Sequence, residues 1–181
     1  MRGTVFLFVA TFFSLNALAG EIKVEKDQVY DKSPDEILDI LVDYENTCNE
    51  GCTYRVKGLS ETRVLEKTDT QAVIWQRIND VRTVEQFVMN TIKRNAETGE
   101  ITMASSYPSA QEIASLTQKT NLRHNGAFKS MIMNWRLMPD GKGGTRVFCE
   151  MNVVHGFPDI ISRFIKNAVR GSVDTLFENF E

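Results

Sequence analysis

The sequence predicts an α+β fold in which a strongly curved antiparallel sheet wraps around one long C-terminal helix. Three observations carry that prediction. In the last stretch, Gly156–Glu181, the residues Ile161, Ile165, Val169, Val173, Leu176 and Phe180 recur at three- and four-residue steps, the spacing of one helix face. Between residues 54 and 155 lies a run of alternating segments joined by short polar turns, the pattern of antiparallel neighbours. A sheet of that length carrying one long helix has to curl around it to bury both apolar faces.

In chain order, Glu21–Tyr30 alternates Ile22, Val24 and Lys26 with charged neighbours and reads as a half-buried strand. Ser33-Pro34-Asp35-Glu36 then supplies an N-cap, a proline for the first turn and a capping-box glutamate. Ile37, Leu38, Leu41 and Tyr44 form the apolar face of the helix that follows. Cys48 and Cys52 end it, and in an exported protein two cysteines so close predict a local disulfide. The metal reading of the pair needs two further ligands, and none lies in sequence range. Cys149 sits in a strand pattern and reads as a small buried residue.

Tyr54–Thr68, Gln71–Asn79, Thr83–Asn95 and Glu100–Tyr107 read as four strands. Residues 108–126 fit a short helix or a loop equally. Ala127–Met138 and Thr145–His155 are the last two strands, joined by the hairpin turn Asp140-Gly141-Lys142-Gly143-Gly144. That turn is no phosphate loop, because no helix follows it. In the closing helix Pro158 is expected at the first helical position. The order describes a helix-grip arrangement.

Two features bear on function. Ile161, Phe164, Ala168, Gly171 and Thr175 form a second line on the C-terminal helix that starts bulky and ends small, and a glycine inside a helix costs about 1 kcal/mol relative to alanine. Close packing on the sheet and a hollow facing the small residues both account for it. The strand faces taken as inward are rich in sulfur and aromatic rings: Trp75, Phe87, Met89, Met103, Met131, Met133, Trp135 and Met151. A methionine-rich core and an adaptable apolar cavity are both consistent with that composition. Polar candidates at the hollow are His155, beside the Gly156-Phe157-Pro158 turn, and Arg123. His155 is read as a donor to a ligand head or as a capping group. Arg123 and Arg77 are read as ion-pair partners, anion contacts or plain surface.

Composition excludes several classes. The N-terminus carries Arg2, an apolar run from Val5 to Phe13, and the small-residue site Ala17-Leu18-Ala19, the pattern of a secretory signal peptide over residues 1–19 followed by a single domain, 20–181. Arg2 is the one charged residue of that leader, so the mature domain keeps 20 of the 21 basic residues against 24 acids, a net charge of −4. Both signs are interspersed, which is no nucleic-acid footprint. Two histidines and three cysteines are a thin supply for metal or acid–base chemistry, so neither a metal nor another cofactor is expected. No esterase, zinc-protease or nucleotide-binding motif is present in the sequence.

The chain resembles bacterial START-related proteins, from the superfamily (SRPBCC) that holds lipid-transfer START domains, polyketide cyclases and coenzyme Q-binding proteins. The resemblance runs from about Val24 to Phe180. It is carried by Arg63-Val64-Leu65-Glu66-Lys67-Thr68-Asp69, Thr91-Ile92-Lys93-Arg94, Arg123, Trp135-Arg136-Leu137-Met138-Pro139, Gly143-Gly144-Thr145-Arg146-Val147 and Gly156-Phe157-Pro158. Glu85-Gln86-Phe87 departs from the Arg-Asp-Phe of many relatives, and the stretch from Arg123 to Trp135 is longer than usual. The resemblance implies a hydrophobic ligand (lipid, sterol or isoprenoid) held between sheet and helix. The expected activity is binding and transfer in the periplasm or outside the cell, with transient membrane contact. The alternative is a cyclase- or hydrolase-like enzyme using the same hollow. The expected ligand contacts are Trp75, Phe87, Met89, Met103, Arg123, Met133, Trp135, Met151, His155, Ile161, Phe164, Ala168 and Gly171. Export carries a direct check: N-terminal sequencing of the native protein should begin at Gly20, and a sequence beginning at Met1 refutes the cleavage site.

Overall fold

The computed structural model describes residues 20–181. The leader expected over residues 1–19 lies outside them. The order of elements is β1 (Gly20–Tyr30), α1 (Pro34–Val42), β2 (Thr47–Cys48), β3 (Tyr54–Arg55), β4 (Leu59–Lys67), β5 (Gln71–Asn79), β6 (Thr83–Arg94), β7 (Ile101–Ser106), α2 (Ala110–Thr120), β8 (Phe128–Pro139), β9 (Thr145–His155) and α3 (Asp159–Glu178). Seven strands form one antiparallel sheet in the order β1-β9-β8-β7-β6-β5-β4. The first strand therefore closes on the last, register Gly20↔His155 to Tyr30↔Thr145. This is the predicted α+β, START-like helix-grip fold.

Local chemistry explains the ends of the elements. Ser33 Oγ accepts from the Glu36 N–H (3.3 Å) while the Glu36 carboxylate accepts from the Ser33 N–H (2.8 Å), so two of α1's orphan donors are satisfied at once. Ser109 and Glu112 repeat the same device at α2, at 3.3 and 2.8 Å. Residues 108–126, consistent with helix or loop from periodicity, thus contain a capped helix, and Asn121 ends it in the left-handed region at φ 58°. Its apolar content is too low for the hydrophobic pattern to reveal it; the Ser-Ala-Gln-Glu cap at its start is the legible signal. Pro158 is the N-cap of α3 rather than its first helical residue.

The predicted strand Tyr54–Thr68 is two pieces, because the chain turns at Val56–Gly58, with Gly58 at φ 81°. That turn matters: it carries Lys57 onto α3, where Ser172 Oγ donates to the Lys57 carbonyl (2.9 Å) and Thr175 Oγ1 accepts the Lys57 N–H (2.9 Å). A disulfide joins Cys48 to Cys52 (Cα–Cα 5.6 Å) beside the small β2–β3 pair, and Cys149 is a buried free thiol whose pKa burial pushes up to about 12. Irregular register in β4 between Leu59 and Glu61 and between Val64 and Glu66 bends the sheet's edge.

At its C-terminal end α3 is clamped to the sheet by aromatic rings. Phe177 stacks on Trp135 with centroids 5.6 Å apart, and Phe180 meets the edges of Trp135 (6.0 Å) and Tyr30 (5.4 Å). All four residues are buried, and the Tyr30 hydroxyl donates to the Phe177 carbonyl at 2.9 Å. Truncating a buried phenylalanine of this kind costs about 3–5 kcal/mol. Gly144 lets β9 start against β1, since a Cβ there would strike the Tyr30 carbonyl.

Over β5 and β6 the outer face of the sheet is covered too. His124, in the segment after α2, lies parallel to Phe87 (centroids 6.3 Å) and its Nδ1 accepts the Phe87 N–H at 3.2 Å. Burial holds the His124 pKa below its ordinary value of 6.5. The folded state thus prefers neutral His124, and as pH falls the unfolded chain takes up the proton first. Its contribution is complete above pH 6.5 and is lost progressively as pH drops below that value. An NMR titration should place the His124 midpoint below 6.5, and a midpoint above it contradicts this packing.

Candidate functional site

A cavity lies between the concave face of the sheet and the middle turns of α3. Its volume is about 180 Å³, measured as space open to the centres of water molecules. That is room for roughly ten waters, equivalent to a few hundred Å³ of ligand, the lower range of small-molecule sites. Helix α3 contributes Ile165, Ala168, Val169, Ser172 and Leu176 as one wall. The sheet opposes it with Ile74, Val88, Met103, Met131, Met133, Trp135 and Met151. Ile40, Leu41 and Tyr44 from α1 and the turn after it close the far end.

Register explains why these residues meet. The pairs Ala72↔Asn90, Asn90↔Ser105, Ser105↔Met133 and Met133↔Met151 form one continuous row across five strands. A second row runs Thr62↔Gln76↔Gln86. Side chains in register on neighbouring strands point to the same face, so each row, apart from Ala72 at the end of the first, presents its members to the cavity together. The sheet wall is therefore apolar sulfur and indole beside a strip of neutral amides and hydroxyls.

Charged lining residues sit at the mouth. Lys57, Asp80 and Arg82 are all exposed there, with Val81 between the last two. The Arg82 guanidinium lies 5.1 Å from the centre of the Phe157 ring, which ties the β5–β6 turn to the segment leading into α3. Farther in, the described lining residues are uncharged. Tyr44 is the titratable side chain held at the deep end, and burial pushes its phenol up to about 12, with the neighbouring Asn90 amide pulling the other way.

Of the expected ligand contacts, Met103, Met133, Trp135, Met151 and Ala168 line the cavity. Others lie elsewhere. Trp75, Phe87 and Met89 have the opposite parity to the lining residues Ile74, Gln76, Gln86 and Val88 and face the outer side of the sheet. There the Trp75 indole donates to the Arg123 carbonyl at 2.7 Å, and the Arg63 and Arg77 guanidinium groups lie 5.6 and 5.0 Å from the ring. Met89 belongs to a separate groove under α2, with Val73 and Leu116. Arg123 is exposed on that outer side, and Arg77 is an ion-pair partner, 2.9 Å from both Glu61 and Glu85.

His155 is fully buried away from the cavity wall. Its Nδ1 accepts the Phe157 N–H (3.2 Å), its Nε2 lies 3.1 Å from Ser162 Oγ, and its ring stacks on Phe157. Ile161 and Phe164 precede the lined part of α3, and Phe164 is 60% exposed. Gly171 faces the Lys57 side chain rather than the hollow, since a Cβ there would meet Lys57 Cδ at 3.0 Å.

Tyr44, Thr62, Gln76, Gln86, Asn90 and Ser105 line the site, and none was an expected contact. The signal for them was present in β6, where Val84, Gln86, Val88, Asn90 and Ile92 alternate as one face. The competing face, with Phe87 and Met89, is more apolar, and hydrophobicity alone selects it. Because His124 and α2 cover the outside, that strand is buried on both sides and parity cannot be chosen by polarity.

No family model and no characterised protein sequence matches the chain. Solved structures do match its fold. A STAR-related lipid transfer protein from Xanthomonas axonopodis superposes with a TM-score of 0.63 at 14% identity, over 87% of this chain and 85% of that one. Human StAR-related lipid transfer protein 5 gives 0.58 at 10% identity, over 87% and 74%. The Zhui aromatase/cyclase from Streptomyces sp. R1128 gives 0.50 at 10% identity, over 88% of both chains. At these identities the likeness is one of fold. The site itself yields a check on His155: its replacement by Leu should lower stability by about 1–3 kcal/mol, the cost of unpaired buried neighbours, and leave binding of apolar probes unchanged. A selective loss of binding with normal stability would return His155 to the ligand site.

Proposed function

We propose that this START-like domain binds a hydrophobic small molecule in the cavity under α3 and, once exported, carries it through the periplasm. The observation that carries the reading is the cavity wall: four methionines and one tryptophan on the sheet oppose Ile165, Ala168, Val169 and Leu176 on the helix. Such a wall has no use for a charged ligand and adapts to an irregular apolar one. Burying about 200 Å² of apolar ligand surface there is worth about 5 kcal/mol before ordering costs. The lipid transfer names of two structural neighbours agree with this reading.

The aromatase/cyclase neighbour favours the alternative, an enzyme acting on an apolar substrate in the same space. Acid–base turnover needs a group that exchanges protons near neutrality inside the cavity. Tyr44, with its phenol near 12, is poorly matched to that task. Binding is the better-supported function.

Native mass spectrometry of protein purified from its own host tests the proposal, a co-purifying apolar molecule being the expected result. Ala168→Phe supplies the matching variant. It should fill the hollow, lower the affinity for N-phenyl-1-naphthylamine about tenfold or more, and leave the melting temperature of the empty protein unchanged or higher. In a filled core the same change overpacks and costs about 1–3 kcal/mol. A clear drop in melting temperature, with no probe binding to the wild type, rejects the cavity and its function together.

A further inference from the structure

The deep end of the cavity holds polar atoms with nothing to bond. Among the described residues, four buried side-chain N or O atoms lack a hydrogen-bond partner: Tyr44 Oη, Thr62 Oγ1, Asn90 Nδ2 and Asn152 Oδ1. The first three belong to residues that line this one cavity. Buried polar groups are normally satisfied, so such a concentration in one place calls for a partner from outside the chain. Other buried polar groups here follow the rule. Ser105 Oγ donates to Asn90 Oδ1 at 2.6 Å, and the Tyr107 hydroxyl donates to Gln86 Oε1 at 2.7 Å.

We propose that Tyr44 and Asn90 form a subsite for an uncharged oxygen, a hydroxyl or a carbonyl, at one end of an otherwise apolar ligand that enters with that end first. The inference rests on the binding function proposed above. Asn90 is 3% exposed and Tyr44 8%. Ser105 occupies the amide oxygen of Asn90, and the NH₂ lies beside the Tyr44 oxygen, close enough to pull the phenol's pKa down but without a closed hydrogen bond, so both groups keep a hydrogen to donate. Burial keeps that phenol protonated at any physiological pH, so it too remains a donor. Two donors close together suit one acceptor oxygen.

Depth sets the orientation. Asn90 lies eight residues along the chain from Arg82 in the exposed turn that opens β6, and six of them, Val84 to Asn90, span about 20 Å at the rise of a strand. Thr62 opens part of the way up, on the row with Gln76 and Gln86. The charged lining residues Lys57, Asp80 and Arg82 are at the mouth, where solvent reaches them. A carboxylate or phosphate pushed to Tyr44 would lose its water and find only the exposed Lys67 ammonium, which lies 5.7 Å from the Tyr44 ring and already donates to the Val42 carbonyl, so the cost of desolvation is not offset. A neutral oxygen loses less and regains its hydrogen bonds. The tail then lies along the methionine wall toward Val81 and Phe157.

Displacement of N-phenyl-1-naphthylamine by octane, 1-octanol, 2-octanone and octanoate tests this, in the wild type and in Tyr44→Phe and Asn90→Leu. Tyr44→Phe removes only the unpartnered hydroxyl, so the empty protein should melt at the same temperature or higher. Its affinity for 1-octanol and 2-octanone should fall about tenfold, the effect of one lost hydrogen bond, while that for octane stays unchanged. Asn90→Leu should repeat the affinity pattern but melt lower, because it also leaves the buried Ser105 hydroxyl unpaired, and octanoate should be the weakest competitor in the wild type. If the probe binds but the substitutions shift octane and octanol alike, or shift neither, the subsite is refuted and the binding function stands. Octanoate as the tightest competitor refutes the neutral subsite as well. A wild type that binds no probe refutes the binding function, and the subsite with it.

Discussion

The cavity depends on how α3 is held. Phe177 and Phe180 fix its last turn against Trp135 and Tyr30, with the Tyr30 hydroxyl bonded to the helix backbone. Upstream of this clamp the helix is tied through Ser172 and Thr175 to the backbone of Lys57, a loop at the edge of the sheet and not the sheet floor. A helix secured by rings at one end and by a loop at its side can bridge a curved sheet without filling the concavity. Short side chains at Ala168 and Ser172 keep the space open. The cost of an unfilled interior is offset by the tightly packed aromatic end.

Tyr30 and Trp135 also explain why β1 must return to the far edge of the sheet. Pairing β1 with β9 over its full length brings Tyr30 beneath Phe177 and places Lys26 2.8 Å from Asp174 of the same helix. First strand and last helix thus hold each other, although they are adjacent to opposite ends of the chain. The loop closure is compensated by contacts that form only when the whole sheet exists, which makes the fold dependent on long-range pairing.

Polarity is sorted across the sheet. Guanidinium and carboxylate groups such as Arg77, Glu61 and Glu85 pair on the outer side, where water still reaches them and supports the charge. The inner side carries neutral amides and hydroxyls, which cost less to bury. Glu85 and Gln86, neighbours in sequence, face opposite environments for this reason alone.

Most of the order of elements, the cap of α1 and the amphipathic face of α3 are legible in the sequence, because each depends on spacing within a few residues. Ser33 and Glu36 satisfy α1's first donors wherever that helix sits, and Ile165, Val169 and Val173 share a face in any α-helix. The sequence also made the cavity residues of β7, β8 and β9 legible, since Met103, Trp135 and Met151 stand on faces whose opposite sides are more polar. Tertiary structure decided the rest. Whether Phe87 or Gln86 looks inward depends on α2 and His124, elements distant in sequence that cover one face of β6 and remove the contrast on which alternation relies. Whether Gly171 meets a ligand or Lys57 depends on a turn more than a hundred residues earlier in the chain. Tyr44 and Asn90 face one another only after helix and sheet have closed, because side chains unexceptional in sequence become a polar site when their surroundings exclude water.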